Sequence, residues 1–334
     1  MTSLDIGIAF DLKPAQPPAE DAPIDLHEEY DGEDTIIALA DTLGALGHRP
    51  RRLGGGRAFL EAMLARPPQL VFNLAEGAGS RSREAQVPAL CEMLGVACTG
   101  SDPLTMALTQ DKALAKRVAL SAGIRSADFR VIESEATIDD IDLAFPLFVK
   151  PVAEGSSIGV RGTSLVRDAP ALRREIGRCL QHYRQPVLVE KYLAGAEATV
   201  AIRGHGENAR VLGAMGIEPA SGPIEDFVYG LESKRGYKAL VRYHVPPRLA
   251  SRHLADIEGV ALAAYRALGC RDLARVDVRL DAAGFAHFIE LNPLPGLNPV
   301  TGDICLIAYG IGMSYPALIA GVVESALLRH PELR

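Results

Sequence analysis

A predicted β-hairpin in residues 274–299, ARVDVRLDAAGFAHFIELNPLPGLNP, decides the fold of this chain. In its first half Arg275, Asp277 and Arg279 alternate with apolar residues, which is the two-residue period of a strand with one polar and one apolar face. The turn at residues 281–284 ends in glycine, and a second strand is predicted to run back from it. The stretch therefore predicts two paired strands with a charged face.

The register predicted for this hairpin pairs Leu280 with Phe285. Asp277 then lies opposite Phe288, and Glu290 lies on its diagonal. Diagonal neighbours in an antiparallel pair are roughly 7–8 Å apart at the backbone, so two carboxylates so placed can reach shared Mg²⁺ ions.

Three oxygen-bearing side chains share that predicted face, namely Asp277, Glu290 and Asn292, with Arg275 opposite Glu290. Carboxylate and amide oxygens are the ligands that Mg²⁺ prefers. The alternative is a hairpin whose charged face is merely solvated. Phe288 on the same predicted face argues against full exposure, and the Pro/Gly-rich turn after Asn292 would hold that side chain and a backbone N–H in fixed positions.

The composition is that of a globular protein. Of 334 residues, 48% are hydrophobic and 23% are charged, and this length predicts two or three subdomains. A net charge of −7 without a long basic run gives no support for a nucleic-acid or membrane-surface partner. The uncharged run between Asp303 and Glu324 is interrupted by Gly, Ser and Pro, so we predict a buried loop that leads into a final core helix.

The cysteines and the N-terminus bear on the cellular compartment. The five cysteines are odd in number and include no C-x-x-C pair, so the pattern indicates neither a disulfide framework nor a zinc site. The N-terminus shows no basic region followed by an apolar core, which argues against a secretory signal. A cytoplasmic location is expected.

Strand, helix and strand patterns alternate over residues 1 to about 100, which predicts a parallel α/β layer. The proline- and acid-rich residues 11–31 predict a surface excursion. The glycine-rich loop that begins at Glu76 lacks the G-x-G-x-x-G pattern of dinucleotide sites, so we predict a loop on the substrate side.

A helix is predicted over residues 102–122, with Asp102 as its N-cap. Lys112 and Lys116 lie one helical turn apart, and in isolation their spacing favours a solvated face. A strand that ends at Lys150 precedes a loop rich in glycine and serine, a combination that suits a triphosphate because backbone N–H groups, hydroxyls and a fixed cation can all meet phosphate oxygens. The alternative is an ordinary hairpin loop.

Two later segments are candidates for ligand contacts. The apolar strand PVLVEKY at residues 186–192 carries Glu190, which can accept from a ribose hydroxyl or an adenine amine, or can equally be a surface charge. The irregular segment 218–237 is long for a compact domain, and loops of that length commonly serve as lids or binding loops.

The ordered motifs together resemble the ATP-grasp superfamily and, within it, the D-alanine–D-alanine ligase family. They span roughly residues 70 to 330 and comprise Asp111-Lys112, Lys150-Pro-x-x-Glu-Gly-Ser-Ser-x-Gly159, Val189-Glu-Lys-x-Leu193 with Glu197, Lys234, Arg275-x-Asp277, and Glu290-x-Asn292-x-x-Pro-Gly296. The resemblance implies an α/β fold of three domains, with a Rossmann-like parallel sheet at the N-terminus and two α+β subdomains that clamp ATP. The expected boundaries are 1–101, 102–189 and 190–334.

The resemblance also implies a role for each motif residue. The implied ATP-binding residues are Lys112, Lys150, Glu154, Ser156, Ser157, Glu190, Lys191, Leu193, Glu197 and Lys234. The implied ligands of two Mg²⁺ ions are Asp277, Glu290 and Asn292. The implied catalytic residues are Arg275, Ser156, Lys234 and the Gly296 N–H, and the implied substrate-side residues are Glu76, Arg235, Gly296 and Thr301. Such ligases phosphorylate the carboxylate of one amino acid and join it to the amine of a second, and a cytoplasmic homodimer is expected by analogy.

The sequence departs from the family pattern on the substrate side. The N-terminal G-G-x-S-x-E-H-E signature is missing, and Asp11, Glu28 and Glu33 are the candidates to replace its acidic residue. Glu76 stands where the family has histidine, and Arg235 stands where an aromatic residue follows the lid lysine. These changes leave two further readings open: ligation of a different amino acid or small carboxylate, or a nucleotide-binding paralogue without ligase activity.

Overall fold

The computed structural model describes residues 3–20 and 22–334 and contains three β-sheets. The first is parallel, in the order β2-β1-β3-β4, and the other two are antiparallel, in the orders β5-β8-β6-β7 and β11-β10-β9-β12-β13. The strands are β1 Asp5–Phe10, β2 Arg49–Gly54, β3 Leu70–Leu74, β4 Ala97–Cys98, β5 Phe129–Ile132, β6 Leu147–Pro151, β7 Leu165–Val166, β8 Val187–Lys191, β9 Glu197–Arg203, β10 Arg210–Pro219, β11 Val241–His244, β12 Leu273–Leu280 and β13 Ala286–Asn292. This mixed architecture agrees with the predicted fold class.

Helices cover the sheets. They are α1 Glu33–Ala45, α2 Gly56–Ala65, α3 Gln86–Leu94, α4 Pro103–Gln110, α5 Lys112–Ser121, α6 Ala169–Tyr183, α7 Leu231–Arg235, α8 Tyr237–Leu240, α9 Ser251–Ala267, α10 Asp303–Gly310 and α11 Tyr315–Arg329. The apolar residues of α11 share one core with the first sheet, whereas α5 and α9 pack on the third sheet. The segment predicted as a lid holds the end of β10 and the short helix α7.

Strand β2 was not predicted because its sequence, RPRRLG, carries no alternating apolar pattern. It lies at the edge of the first sheet, where few of its side chains are buried. Arg51 of this strand pairs with Asp5 of β1 at 2.8 Å. An ion pair and the backbone ladder thus hold a strand that apolar burial does not.

The hairpin forms as predicted, but its predicted register is wrong. Val278 pairs with Phe288 and Asp277 pairs directly with Glu290, so Ile289 is the extra residue of a β-bulge. The bulge turns Phe288 onto the apolar face, where it is completely buried, and leaves Glu290 on the polar face opposite Asp277. The two carboxylates are therefore nearer neighbours than the diagonal placement implied.

On the same strands Leu280 pairs with Ala286 rather than Phe285, and Arg275 lies opposite Asn292 rather than Glu290. The three oxygen-bearing side chains still share one face. Because of the bulge, Phe288 does not lie beside them on that face, as the predicted register had placed it.

The predicted helix 102–122 is two helices that meet at Asp111. Asp102 caps α4 as predicted and accepts from Thr105 N, and Asp111 caps α5 by accepting from Leu114 N. The break turns the second helix so that its lysines face inward. Lys112 is 7% exposed and Lys116 is fully buried, so the solvated face favoured by their spacing is wrong.

The C-terminal run 303–324 also differs from the prediction, because its first half is the helix α10 rather than a loop. Its residues Ile304, Cys305 and Ile307 are buried against the first core. Within the described part of the chain, no helix alone has the length and apolar character of a membrane span; α10 and α11 would reach it only together, and they are bent by 110°.

Residues 11–31 are not simply a surface excursion. Most of the described side chains there are exposed, but Asp25 is completely buried. Its carboxylate accepts from Gly159 N at 2.9 Å and from the Tyr183 hydroxyl at 3.1 Å, and it pairs with Arg161 at 3.1 Å. The segment therefore docks on the glycine- and serine-rich loop that follows β6.

The buried Asp272 links the C-terminal helix to the first and third sheets, and we predict that Asp272→Asn destabilises the fold by about 3 kcal/mol. Its carboxylate accepts from Gly100 N and Ser325 Oγ, both at 2.9 Å, and from Arg329. Asparagine keeps the shape and tolerates the positive φ of 63°, but turns an amide donor toward groups that are themselves donors. Urea unfolding measures the loss.

The matched control is Asp41→Asn on the exposed face of α1, for which a change within about 0.5 kcal/mol is expected. Equal stability of the two variants would contradict the role given to Asp272.

Candidate active site

A cavity between the second and third sheets collects most of the predicted site residues. It is lined by Lys112, Lys150, Glu154, Ser157, Glu190, Lys191, Leu193, Glu197, Lys234, Arg275, Asp277 and Glu290, which come from α5, β6, β8, β9, β12, β13 and the loops beside them. Residues separated by more than 170 positions in the sequence thus meet at one place. We call it the first cavity.

Glu190 is the central charge on one wall of the first cavity. Its two carboxylate oxygens pair with Lys150 at 2.8 Å and Lys116 at 2.7 Å, and all three side chains are almost completely buried. Burial opposes ionisation of Glu190, but the two lysines outweigh it and lower its pKa to about 2. Lys116 also donates to Ser126 Oγ at 2.9 Å. Glu190 therefore fixes both ammonium groups, and of these only Lys150 lines the cavity.

Part of the wall of the first cavity is apolar. Phe148, Tyr192, Ile217 and Ile289 line it together with Leu193. An apolar slot with a few polar groups at its edge suits a flat heteroaromatic ring.

Glu197 lies at the edge of this apolar part and pairs with Arg279 at 3.2 Å. The Arg279 guanidinium stacks 4.6 Å from the centre of the Tyr192 ring and donates to the Tyr192 hydroxyl at 2.6 Å. Arg279 thus holds the side chains of Glu197 and Tyr192 in place on the cavity wall.

The carboxylates of Asp277 and Glu290 face each other across the hairpin and fit the demands of Mg²⁺. Asp277 accepts from Thr199 Oγ1 at 2.6 Å and from Asn292 Nδ2 at 3.4 Å. Lys112 lies 3.4 Å from Glu290, and the neighbouring cations lower the pKa of Glu290 to about 2 against the effect of burial. Among residues 3–20 and 22–334 no third His, Cys, Asp or Glu completes a metal cage. Mg²⁺ is commonly held by one or two carboxylates with phosphate oxygens as further ligands, so the pair is sufficient.

Arg275 lies beside this carboxylate pair. It pairs with Asp277 at 3.1 Å and with Asp303 at 2.9 Å, and its Nε is buried without a hydrogen-bond partner in the described chain. Lys234 enters from α7, with its ammonium 5.3 Å from the centre of the Tyr229 ring. Both cations are therefore available to an anionic group in the cavity.

The loop after β6 has a strained backbone. Ser156 and Ser157 have φ angles of 47° and 61°, which non-glycine residues adopt at a cost of about 1–3 kcal/mol each. Gly159 has φ 81°, and a Cβ there would lie 2.4 Å from the Pro151 ring. The strain turns Ser157 toward the first cavity and Ser156 toward two neighbouring cavities.

Two further cavities adjoin the first. The second contains the predicted residues Glu76, Ser156, Asn292 and Gly296, and the third, of about 370 Å³, contains Gly296, Thr301 and Lys234. The turn at Gly296 separates the two.

Arg235 does not face these cavities with the other predicted residues. It is exposed, and its guanidinium pairs with Glu28 at 2.6 Å. The candidates to replace the missing N-terminal acid already have partners: Asp11 accepts from Gly77 N at 2.8 Å, Glu28, which borders the third cavity, holds Arg235, and Glu33 pairs with Arg52 on the surface.

Several residues that line the cavities or hold their lining in place were missed by the sequence analysis. Arg279 and Lys116 carried a usable signal, because each lies at the strand or helix period from a predicted residue. Others carried none, since tertiary contacts alone bring them to the cavities: Glu29, Arg83, Glu84, Gln110 and Asp303.

Comparison with known proteins agrees with this geometry. The family model for the D-ala D-ala ligase C-terminus matches residues 118–324. The D-alanine–D-alanine ligase of Chelativorans sp. (strain BNC1) is 35% identical over 296 residues, which are 86% of this chain and 91% of that protein. The D-alanine–D-alanine ligase of Anaeromyxobacter dehalogenans (strain 2CP-C) is 32% identical over 256 residues, which are 75% of this chain and 78% of that protein.

The fold is shared with solved structures. The crystal structure of D-alanine–D-alanine ligase from Bacillus anthracis complexed with ATP aligns with a TM-score of 0.73 at 19% identity, covering 99% of this chain and 100% of that chain. The predicted ATP-grasp fold is confirmed.

We predict that Glu190→Gln lowers the free energy of unfolding by about 3 kcal/mol at pH 7, because two buried lysines then lose their counterion. The folded pKa of Glu190, about 2, lies below its ordinary 4.5, so its charge stabilises the fold fully above pH 4.5. That stabilisation is lost as the pH falls from 4.5 toward 2, and the difference between variant and wild type narrows over this range.

Denaturant unfolding at pH 7 and at pH 3.5 makes the measurement. Glu207→Gln, on the exposed turn after β9, is the control and should leave stability unchanged at both values. A difference that is constant with pH would contradict the assignment.

Proposed function

The chain belongs to the D-alanine–D-alanine ligase family of ATP-dependent ligases, and we propose that it joins two amino acids through an acyl-phosphate intermediate. The family resemblance seen in the motifs is confirmed by the matches to its relatives. One observation above all supports the reaction: the opposed carboxylates of Asp277 and Glu290 lie in the same cavity as Lys112 and Lys150. That combination suits the transfer of a phosphoryl group.

ATP would occupy the first cavity. Its adenine fits the apolar part beside Tyr192 and Leu193, with Lys191 at the rim and Glu197 placed to accept from the ribose. Lys112 and Lys150 would meet the phosphates, and the backbone of the Ser156-Ser157 loop would cover them. Glu190 acts mainly by fixing Lys150, so its contact with ATP is indirect.

Asp277 and Glu290, with Asn292, would hold two Mg²⁺ ions, which neutralise phosphate charge when they are bound. In the first step a carboxylate oxygen of one amino acid attacks the γ-phosphorus, and the bond to the bridging oxygen breaks to release ADP. The chain supports this step by orienting the reactants and by placing Lys112, Lys150 and Lys234 around the transferring group.

In the second step the amine of the other amino acid attacks the acyl carbon, loses a proton, and phosphate leaves. Arg275 and the Gly296 N–H are placed to stabilise the oxyanion that forms, since both border the cavity beside the carboxylate pair. The free Nε of Arg275 is a preorganised donor for it. Ser156 and Thr301 border the space for the two amino acids.

We further propose that the protein works in the cytoplasm as a homodimer with three domains, divided at residues 101 and 189. All five cysteines are free thiols, which suits a reducing compartment. Large apolar side chains are exposed on the helices around the first sheet, among them Leu64 and Met93, and would be covered by a second copy.

We predict that Asp277→Asn lowers the rate of amino-acid-dependent ADP release at least about 1000-fold, because the loss of one metal carboxylate removes several kcal/mol of charge stabilisation. Thermal unfolding should be close to that of the wild type. Release of ADP from ATP and Mg²⁺ is measured with D-alanine and then with a panel of amino acids.

Asp281→Asn, in the exposed turn of the same hairpin, is the control and should retain wild-type turnover. Undiminished turnover in Asp277→Asn would overturn the metal assignment. ATP binding without ADP release for every amino acid in the panel would overturn ligation.

A further inference from the structure

The second cavity has an unusually acidic wall. It lies between the glycine-rich loop after β3, the loop after β6 at residues 152–159, which we call the phosphate loop, and the turn at Gly296. Four carboxylates face it: Glu29 from the N-terminal segment, Glu76 and Glu84 from the chain between β3 and α3, and Glu154 from the loop after β6. At its other end the cavity reaches Lys112, Arg275 and Glu290, where phosphoryl transfer is proposed. Its occupant is therefore the amino acid whose carboxylate is activated.

Two of the four carboxylates, Glu29 and Glu154, share one cationic partner within the protein. Arg83 pairs with Glu29 at 2.7 Å and with Glu154 at 3.3 Å, and it also donates to the Ala153 carbonyl. Glu154 receives a further hydrogen bond from Gln185. Both of these acids are therefore already engaged by the same guanidinium.

The other two, Glu76 and Glu84, make no salt bridge and no side-chain hydrogen bond within residues 3–20 and 22–334. Burial is the main cause that raises the pKa of Glu84 to about 8 and the pKa of Glu76 above its ordinary value. The charged groups that face this pair are Glu29, Asp31, Arg83 and Lys112. Both side chains are half-buried at the cavity wall, so a ligand cation that fills the cavity would pair with them away from water.

A separate observation indicates that a ligand fills this space. Gln110 lines the same cavity, is only 6% exposed, and has a side-chain Nε2 without a hydrogen-bond partner in the described chain. A buried donor left unpaired costs about 1–3 kcal/mol. Gln110 lies two residues before Lys112, at the end of the cavity that leads to the phosphate site. It is placed to donate to an oxygen of the substrate carboxylate.

We propose that the activated substrate is a diamino acid, whose two ammonium groups are bound by Glu76 and Glu84 and whose carboxylate accepts from Gln110. A monoamino acid such as alanine supplies one positive charge, whereas two carboxylates stand unpaired. The inference rests on the proposed function, because the function says which substrate enters this cavity. Glu76 and Glu84 are then the residues that determine specificity.

The test compares ligands that differ only in the second charge. Lysine is set against norleucine, and 2,4-diaminobutyrate against 2-aminobutyrate, each as both enantiomers. Binding is measured by calorimetry in the presence of Mg²⁺ and a non-hydrolysable ATP analogue. At least one diamino acid should bind ten-fold or more tightly than its neutral counterpart, and a preference below two-fold for every pair overturns the proposal.

The variants Glu76→Gln and Glu84→Gln should each reduce that preference at least five-fold. Glu92→Gln, on the exposed face of α3, should leave it unchanged. The wild-type comparison needs no variant, so the proposal remains testable even if one variant fails to fold. The preference for diamino acids should also increase as the pH rises through 8, because the site requires ionised carboxylates. The same preference in all three variants would overturn the assignment of the site to Glu76 and Glu84.

Release of ADP separates this inference from the function on which it rests. Release with diamino acids at least ten-fold faster than with their neutral counterparts supports both. Equal release with D-alanine, neutral and diamino acids supports ligation and overturns the diamino substrate. Preferential binding of diamino acids without any release of ADP supports the cationic site and overturns ligation.

Discussion

The structure of the active site depends on one carboxylate, Glu190, buried between Lys116 and Lys150. Three elements distant in sequence, α5, β6 and β8, each contribute one charge to this cluster. Any one of these charges alone would be too costly to bury, so the three elements are stable in this arrangement only together. Lys116 further contacts the Phe288 carbonyl of β13, which connects the cluster to the third sheet. The cavity between the second and third sheets therefore has a fixed electrostatic centre before any nucleotide binds.

The N-terminal segment gives the second half of the site its shape. Asp25 and Glu29 accept from the backbone of the phosphate loop at Gly159 and Gly155, so a segment that precedes the first helix restrains the most strained backbone in the protein. Glu28 connects the same segment to the lid through Arg235. The exposed Glu28–Arg235 ion pair contributes little to stability. Together with the contacts of Asp25 and Glu29, it holds the lid and the phosphate loop at a defined distance from the first sheet and thus defines the substrate space.

Local sequence periods predicted the parallel N-terminal layer and the hairpin, and the remaining fold followed from the family resemblance of motifs such as Lys150 with its glycine-rich loop. The hairpin register could not be predicted, since the two-residue period tells which residues share a face but not where an extra residue such as Ile289 enters. Helical spacing placed Lys112 and Lys116 on one face, yet burial of that face is decided by β13, about 170 residues later. No local sequence pattern in residues 11–31 indicated that the Asp25 side chain would be buried.

The two halves of the site differ in how their charges are balanced. On the nucleotide side Glu190, Glu197 and Glu290 each have a cationic partner within the chain, so that half is preorganised and its pairing does not depend on the substrate. On the substrate side Glu29 and Glu154 share Arg83, while Glu76 and Glu84 make no salt bridge within the described chain and are left for a ligand to pair with. An enzyme that keeps its reaction but changes its substrate is expected to differ in the second group of residues. The departures from the family motifs, Glu76 among them, concern the substrate side of the site. There, charge complementarity selects the substrate and does not drive the chemistry.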